Sequence, residues 1–249
     1  MNLEAKLNEV HDEYLRRMTG DLSPLTYATR CNGKMLRPRM LLAAAATLGD
    51  NHFHSRRTLL LAVAVEMLHN ASLLHDDVID HADTRRGQPS VNALWGNSTA
   101  VLVGDYCLAQ IMQLLDEVDD RDATRLLNRT VIDMVQAELL AQQVGSDQWV
   151  VDSNREQQGQ VLHTSHYTLH TYLDIIDGKT ARLFATACAL GNPAYEDYGL
   201  HYGRLFQLRD DLADGEATPW TEELIRQEEA ILAKMQALAI NPEQQVQNK

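Results

Sequence analysis

Residues that interrupt helices are scarce in this sequence, and their scarcity limits the folds open to it more than any other feature. Thirteen glycines and six prolines are spread over 249 residues. The long stretches between them are rich in Ala, Leu, Met, Gln and Glu, which lose little on entering a helix. Strand-like alternation of apolar and polar residues is nowhere sustained. The sequence therefore predicts an all-α protein.

The apolar patterns divide this protein into helices within a single domain spanning 1–249. Residues 58–77 are apolar nearly all round the first half of the segment, as expected for the central helix of a bundle. Residues 37–48 carry a proline in the first turn and then small side chains, which would let another helix approach closely. The other predicted helices are 98–115, 123–144, 164–176, 179–190, 194–211 and 221–239. Residues 145–160 are predicted as a loop and 241–249 as a disordered tail.

Charge and cysteine content exclude several classes of protein. The chain has 35 acidic and 22 basic side chains, a net charge of −13, which argues against a general nucleic-acid partner. We find no apolar run close to the ~20 residues of a membrane-spanning helix, and therefore predict no transmembrane segment. The three cysteines are far apart and the N-terminal residues lack an apolar signal core. These features predict a cytoplasmic protein with reduced thiols.

The first acidic motif, Asp76-Asp77-Val78-Ile79-Asp80, closes a strongly apolar segment. In a helix Asp76 and Asp80 share a face, whereas Asp77 diverges by about 100°. The two carboxylates would repel each other, and negative charge is unfavourable at a helix C-terminus. A divalent cation such as Mg²⁺ would supply the missing positive charge. A solvated acidic helix end remains an equal alternative for this motif alone.

A second motif of the same form, Asp210-Asp211-Leu212-Ala213-Asp214, closes another apolar segment. Its spacing again places the first and last aspartates on one face. Two such motifs far apart in the sequence are much stronger evidence than one. They predict facing carboxylate clusters around one cavity that hold several Mg²⁺ ions on a diphosphate.

Cationic residues adjoin glycines, a proline and the acidic motifs. They are Lys34, Arg37, Arg85, Arg86 and Lys179. Any one of them could be an ordinary surface charge. Arginine suits bidentate phosphate contacts and lysine a point-charge contact, so the set predicts two diphosphate sites, one with metal and one without. His69, two helical turns before Asp76, could add a donor, although a lone histidine on an apolar helix is more often simply packed.

Five stretches then occur in a familiar order: GKMLRP, LLHDDVIDHADTRRGQPSVNALWGN, VLVGDY, GKTARLF and FQLRDDLAD. They resemble the trans-prenyltransferases, or polyprenyl diphosphate synthases, and most closely the long-chain octaprenyl type. The resemblance runs from about Lys34 to Asp214. It implies an isoprenoid synthase fold, a helical bundle around a deep central cavity, usually as a homodimer. It also implies Mg²⁺-dependent condensation of isopentenyl diphosphate with an allylic diphosphate to an all-trans polyprenyl diphosphate.

The resemblance also implies a role for each matching residue. Asp76, Asp80 and Asp210 would ligate Mg²⁺ on the allylic diphosphate, with Asp77, Asp211 and Asp214 as lesser or outer ligands. Arg85 and Lys179 would hold that diphosphate, and Lys34, Arg37, His69 and Arg86 would bind isopentenyl diphosphate without metal. Thr180 and Gln207 would lie near the developing allylic cation, so that Lys179, Thr180 and Gln207 form the catalytic group.

Departures from the family pattern leave alternatives open. The usual glycine pair before Lys34 is here Asn32-Gly33, and only 35 residues follow Asp214, which predicts a shortened C-terminal region. Arg209 could stand in for a family lysine that is missing there. One alternative is a non-catalytic partner subunit of a full-length synthase, which would not need six clustered aspartates. Another is a class I terpene synthase, which would have no use for Lys34, Arg37 and Arg86.

The helix before the first acidic motif bears on product length. Ala71 and Ser72 lie about one turn before Asp76, where a growing prenyl tail would first meet the helix. In the resembling family, bulky aromatic residues at these positions stop elongation early. The small side chains predict an open tunnel and products longer than twenty carbons, unless they merely allow a neighbouring helix to pack closely.

Overall fold

A computed structural model describes residues 2–18, 22–29, 33–145 and 168–240. Almost all of them lie in helices, which confirms the all-α prediction. The helices are α1 (Leu3–Met18), α2 (Ser23–Ala28), α3 (Leu36–Ala46), α4 (Asp50–Phe53), α5 (Arg56–Ile79), α6 (Val91–Trp95), α7 (Asn97–Val118), α8 (Arg121–Gly145), α9 (Leu169–Ile176), α10 (Arg182–Gly191), α11 (Glu196–Asp214) and α12 (Thr221–Ile240). A π-helix (Asp177–Ala181), a 3₁₀-helix (Pro193–Tyr195) and a two-stranded hairpin, β1 (Thr84–Arg85) and β2 (Gln88–Pro89), complete the described elements.

The chain divides into two compact units. The first comprises Met1–Asn128 and Leu183–Gly199, and the second comprises Arg129–Arg182 and Leu200–Lys249. Each unit contains one of the two acidic motifs. A single domain over 1–249 stays a prediction.

Helix α5 is the core of the first unit. Ser55 caps its N-terminus by accepting a hydrogen bond from the backbone N–H of Thr58, at 3.1 Å. Every residue from Leu60 to Leu68 is buried, so the helix is covered all round over more than two turns, chiefly by α7 and α3. The predicted central helix is confirmed, and it continues two residues beyond the predicted end at Asp77.

Small residues bring α3 and α10 into close contact within the first unit. A Cβ atom added to Gly191 would lie 2.2 Å from the carbonyl oxygen of Leu41 and 2.9 Å from the Cβ of Ala44. No side chain fits in that space, so glycine is required there. This confirms the prediction that the small residues of α3 permit another helix to approach closely.

The second unit has its own apolar cluster, in which α9, α11 and α12 meet. Tyr172 and Ile176 of α9 pack with Leu208 of α11 and Leu224 of α12, and Trp220 covers the edge. All four members of the core are buried. This cluster fixes the helix that ends in the second acidic motif against its neighbours.

One predicted helix is interrupted. Residues 179–190 were expected to form one α-helix, but Lys179 lies in the π-helix and α10 begins at Arg182. The π-helix packs tightly on α8, because a Cβ on Gly178 would lie 2.3 Å from the Cβ of Ala137 and 3.0 Å from the carbonyl oxygen of Asp133. The predicted tail (241–249) and the predicted loop, after its first residue, fall outside the described residues.

Two further observations concern the predicted absence of a transmembrane segment and the predicted reduced thiols. Two helices, α5 and α7, are long and apolar enough to cross a membrane by length and composition, which corrects the expectation that no stretch approaches this limit. Such helices are weak evidence for a membrane span, because the core helix of a globular protein passes the same test. The buried share of the apolar window is 72% in α5 and 39% in α7. Cys107 and Cys188 are buried free thiols, and burial raises the pKa of each to about 12.

Candidate active site

The first acidic motif lies at the C-terminal end of α5, as predicted. Asp77 is 4% exposed, and Arg85 of the hairpin donates to its Oδ1 from Nε at 2.8 Å and also from Nη2. Asp76 is half-buried and Asp80 is exposed. The middle carboxylate is therefore held by an ion pair inside the protein, whereas the carboxylates on the other face have greater access to solvent.

The hairpin after this motif also positions Arg86. Arg86 occupies the left-handed region with φ of 52° at the turn between β1 and β2. Its guanidinium lies against Gly33, since a Cβ on Gly33 would be 2.6 Å from Arg86 Nη2. The structure thus brings Arg86 to the segment that contains Lys34, which is itself exposed.

Arg37 lies in the first turn of α3 and is 9% exposed. Its guanidinium carbon lies 4.3 Å from the ring centroid of Phe184, a cation–π contact with α10.

His69, one of the predicted substrate contacts, has its pKa lowered by its surroundings. Burial, together with Arg37, Arg86 and Arg85, holds the pKa of His69 well below 6.5, so the ring is neutral at physiological pH.

Glu66 belongs to the same region, and the sequence reasoning missed it. It is 1% exposed, and its Oε2 has no hydrogen-bond partner among the described residues. Burial raises its pKa from 4.5, and the nearby charges of Arg37 and Arg86 oppose that rise. A glutamate within the most apolar part of α5 was the signal that could have identified it.

The second acidic motif lies in the last turn of α11. Asp211 is 9% exposed and accepts hydrogen bonds from the hydroxyl of Tyr172 at 2.5 Å and from Nε2 of Gln207 at 2.7 Å. Asp210 and Asp214 are both exposed. The division between faces is the same as in the first motif, but neutral donors hold the middle carboxylate here.

Two of the three residues predicted as catalytic, Thr180 and Gln207, are in contact in the second unit. Thr180 donates from Oγ1 to Oε1 of Gln207 at 2.7 Å, so a continuous hydrogen-bonded chain runs from Thr180 through Gln207 to Asp211. Lys179 Nζ lies 2.5 Å from Glu138 Oε2 on α8. Burial acts to raise the pKa of Glu138, but hydrogen bonds from Lys179 and Gln142 outweigh it and leave that pKa lowered.

Arg209, suggested from the sequence as a substitute for a missing family lysine, forms an ion pair within the protein. Its Nη2 lies 2.6 Å from Glu229 Oε1 on α12, and the side chain is 58% exposed. In this structure it serves an ion pair between α11 and α12.

The donor set of each motif fits Mg²⁺ carried by a substrate better than a permanent metal site. Within the ranges that the structure describes, no three His, Cys, Asp or Glu side chains are grouped to hold a metal ion. Each motif offers a pair of carboxylates at i and i+4 on the face with greater solvent access. Mg²⁺ in phosphate-binding sites commonly takes one or two carboxylates and completes its shell with phosphate oxygens and water.

Comparison with known proteins gives the family. A model of the polyprenyl synthetase family matches residues 22–239. The chain belongs to the polyprenyl synthetase family. It is 34% identical over 203 residues to the all-trans-nonaprenyl-diphosphate synthase (geranyl-diphosphate specific) of Rhodobacter capsulatus, with 78% of this chain and 56% of that protein covered. Heptaprenyl diphosphate synthase component 2 of Geobacillus stearothermophilus is 32% identical, with coverage of 85% and 64%.

Solved structures give the same fold. A polyprenyl synthase from Caulobacter crescentus, complexed with calcium and isoprenyl diphosphate, superposes with a TM-score of 0.70 at 33% identity, and 84% of this chain and 62% of that one are covered. The predicted isoprenoid synthase fold and the predicted family are confirmed. This polyprenyl synthetase chain spans little more than half of the length of the Rhodobacter relative.

Proposed function

We propose that the chain is a Mg²⁺-dependent prenyltransferase that condenses isopentenyl diphosphate with an allylic diphosphate to make an all-trans polyprenyl diphosphate. The observation that carries the proposal is the repeated division within the two acidic motifs. In each, the middle aspartate is buried and held by donors of the protein, while the first and last lie on the more accessible face. Membership in the polyprenyl synthetase family supports the same chemistry.

In this proposal Asp76, Asp80, Asp210 and Asp214 supply the oxygens for Mg²⁺ on the allylic diphosphate. Bound Mg²⁺ would neutralise the diphosphate and make it a better leaving group. Asp77 and Asp211 would position these carboxylates indirectly, because their hydrogen bonds fix the helix ends that carry the outer aspartates.

Arg85 and Lys179 would hold the same diphosphate. Each is already in an ion pair within the protein, with Asp77 and Glu138 respectively. A guanidinium has five N–H donors and an ammonium has three, so both residues can bridge their internal carboxylate and a substrate phosphate.

Isopentenyl diphosphate would bind without metal to Lys34, Arg37, His69 and Arg86. Neutral His69 can donate one hydrogen bond without adding charge. Arg37, fixed over the ring of Phe184, supplies a preorganised fork for phosphate oxygens. Arg37 is buried and His69 is half-buried, which strengthens these contacts, because water competes less in such a site.

The reaction then needs no acid or base of unusual strength. The carbon–oxygen bond of the allylic diphosphate breaks and its electron pair leaves with the diphosphate. The double bond of isopentenyl diphosphate attacks the allylic cation, and the resulting cation loses a proton to the departed diphosphate. Thr180 and Gln207 would present oxygen dipoles to the cation, and electrostatic stabilisation in a site that excludes water would be the main catalytic contribution.

The proposal also includes a homodimer, a cytoplasmic location and long-chain products. A second candidate function is a subunit of a two-component synthase, which the similarity to a protein named component 2 of heptaprenyl diphosphate synthase favours. That candidate would need its partner present before any product formed.

The purified chain, incubated with radiolabelled isopentenyl diphosphate and farnesyl diphosphate with and without Mg²⁺, tests the proposal. Mg²⁺-dependent incorporation of label into long products is the expected result. Loss of farnesyl diphosphate without incorporation would indicate a terpene synthase instead. Absence of both would indicate a partner subunit. An Asp210→Ala preparation provides the matched inactive control.

A further inference from the structure

The π-helix is joined to α11 by two contacts with equal spacing. Arg204 donates from Nε and Nη2 to the two carboxylate oxygens of Asp177, both at 2.5 Å. Three residues further along each element, Thr180 donates to Gln207 at 2.7 Å. Because two planar forks meet in the Asp177–Arg204 pair, sliding one element past the other would break both bonds at once. The charged contact therefore fixes the register in which Thr180 meets Gln207.

Helix α12 also contacts Arg204, through Glu228. Glu228 is 5% exposed; its Oε1 lies 3.5 Å from Arg204 Nη1, and its Oε2 lies 2.5 Å from His201 Nδ1. A buried carboxylate is costly unless it is paired, so Glu228 keeps Arg204 in place and Arg204 in turn stabilises Glu228. Four side chains from three elements thus form one connected set: Asp177, His201, Arg204 and Glu228.

The π-helix also packs against α8. Gly178 packs so tightly on Ala137 that a Cβ would lie 2.3 Å away, and Lys179 pairs with Glu138. Single π-turns are uncommon in helices and are frequent at functional sites. A turn of this kind persists when its surroundings hold it on more than one side, which α8 and α11 do here.

We propose that Arg204 is a positioning residue for the prenyl-transfer reaction: by holding Asp177, it sets the register of the π-helix against α11 and so places Thr180 and Lys179 for the allylic substrate. This inference rests on the proposed function, in which Lys179 and Thr180 contact that substrate. Arg204 does not touch the substrate and acts through Asp177.

Steady-state kinetics of Arg204→Gln test this role. We expect kcat to fall about 10- to 100-fold and the Michaelis constant for farnesyl diphosphate to rise, because small displacements of a substrate contact are expensive. The Michaelis constant for isopentenyl diphosphate should change less than about twofold, since its contacts lie elsewhere. Arg204→Lys should recover part of kcat. Arg226→Gln, which breaks an exposed pair with Glu223 on α12, is the matched control and should resemble the wild type.

Hydrogen–deuterium exchange supplies a measurement that does not depend on turnover. In Arg204→Gln the amides of 177–181 should exchange faster, while those of α10 keep their protection. Unchanged kinetics in a folded Arg204→Gln protein, or equal effects on both substrates, would overturn the positioning role. A wild-type protein that neither forms product nor binds farnesyl thiodiphosphate with Mg²⁺ would overturn the proposed function, and this inference with it.

Discussion

The two acidic motifs have the same spacing, yet the protein holds their middle aspartates by different means. Asp77 is paired with the charged Arg85, which follows it by eight residues across a hairpin. Asp211 is held by the neutral Tyr172 and Gln207, and Gln207 also accepts from Thr180. The first motif is thus braced by a local ion pair, and the second is connected to the predicted catalytic group. Two motifs with the same spacing are therefore held by different structural supports, which should respond differently to substitution.

Substitution of the outer aspartates should have the largest effect on activity. The effect should be the same for both motifs, although their middle aspartates are held differently. Asp76→Ala and Asp210→Ala should each lower kcat by at least about 1,000-fold, because in the proposed reaction each removes a carboxylate that binds Mg²⁺ on the reacting diphosphate. Thermal stability of the apo protein should not fall, since like-charge repulsion with the residue at i+4 is relieved. Steady-state assays and thermal melts measure both effects.

The control for this pair is Asp197→Ala, which alters an exposed carboxylate in the first turn of α11. A sharp loss of stability in either motif variant would show that the aspartate is structural and that the metal interpretation is wrong.

Substitution of the cationic residues should change the Michaelis constants of the two substrates to different extents. Arg37→Ala should raise the Michaelis constant for isopentenyl diphosphate far more than that for the allylic substrate, because a lost charge-assisted contact costs about 2–3 kcal/mol, roughly 30- to 150-fold. Lys179→Ala should show the opposite selectivity. Equal effects on both substrates in the Arg37 variant would mean that this residue was assigned to the wrong pocket.

The middle aspartates should differ in stability. Asp77→Asn leaves the half-buried Arg85 without its counter-charge and should cost about 2–3 kcal/mol, within the range for a hydrogen bond to a charged group. Asp211→Asn should cost about 1 kcal/mol, since Tyr172 can still donate to the amide oxygen. Urea denaturation of both variants gives the comparison. If the two costs are equal, charged and neutral supports are equivalent here.

The sequence predicted the faces of the two motifs because helical periodicity alone determines them. Asp76 and Asp80 share a face whatever surrounds α5, and the same holds for Asp210 and Asp214. It did not predict what holds the middle aspartates. Tyr172 precedes Asp211 by 39 residues, and that partnership depends on how α9 packs on α11. The π-helix was missed as well, and its contacts, such as that of Gly178 with Ala137, join residues that are far apart in the sequence.

The helices before the two motifs differ in side-chain size at matching positions. Ala71 and Ser72 precede Asp76 by five and four residues, where Leu205 and Phe206 precede Asp210. Ala71→Phe gives the first helix the bulk of the second and should shorten the products, as measured by chromatography, without changing the binding of isopentenyl diphosphate. Ala71 is 1% exposed, so the same variant tests the alternative. If Ala71 merely lets a helix pack closely, overpacking should cost about 1–3 kcal/mol and leave product length unchanged.

The smallest effect concerns His69, the half-buried histidine two turns before the first motif. Burial and the charges of Arg37, Arg86 and Arg85 hold its pKa well below 6.5. The unfolded chain therefore binds a proton below about pH 6.5 that the folded chain does not, and folding stability should fall as the pH drops below this value. Glu66 acts in the opposite sense, since its raised pKa favours the folded state as the pH falls toward 4.5. Comparing wild type with His69→Gln, with Glu66 present in both, isolates the histidine. Urea unfolding at pH 7.5 and 5.5 should show a larger loss of stability for the wild type, and equal losses would mean that His69 titrates normally in the folded protein.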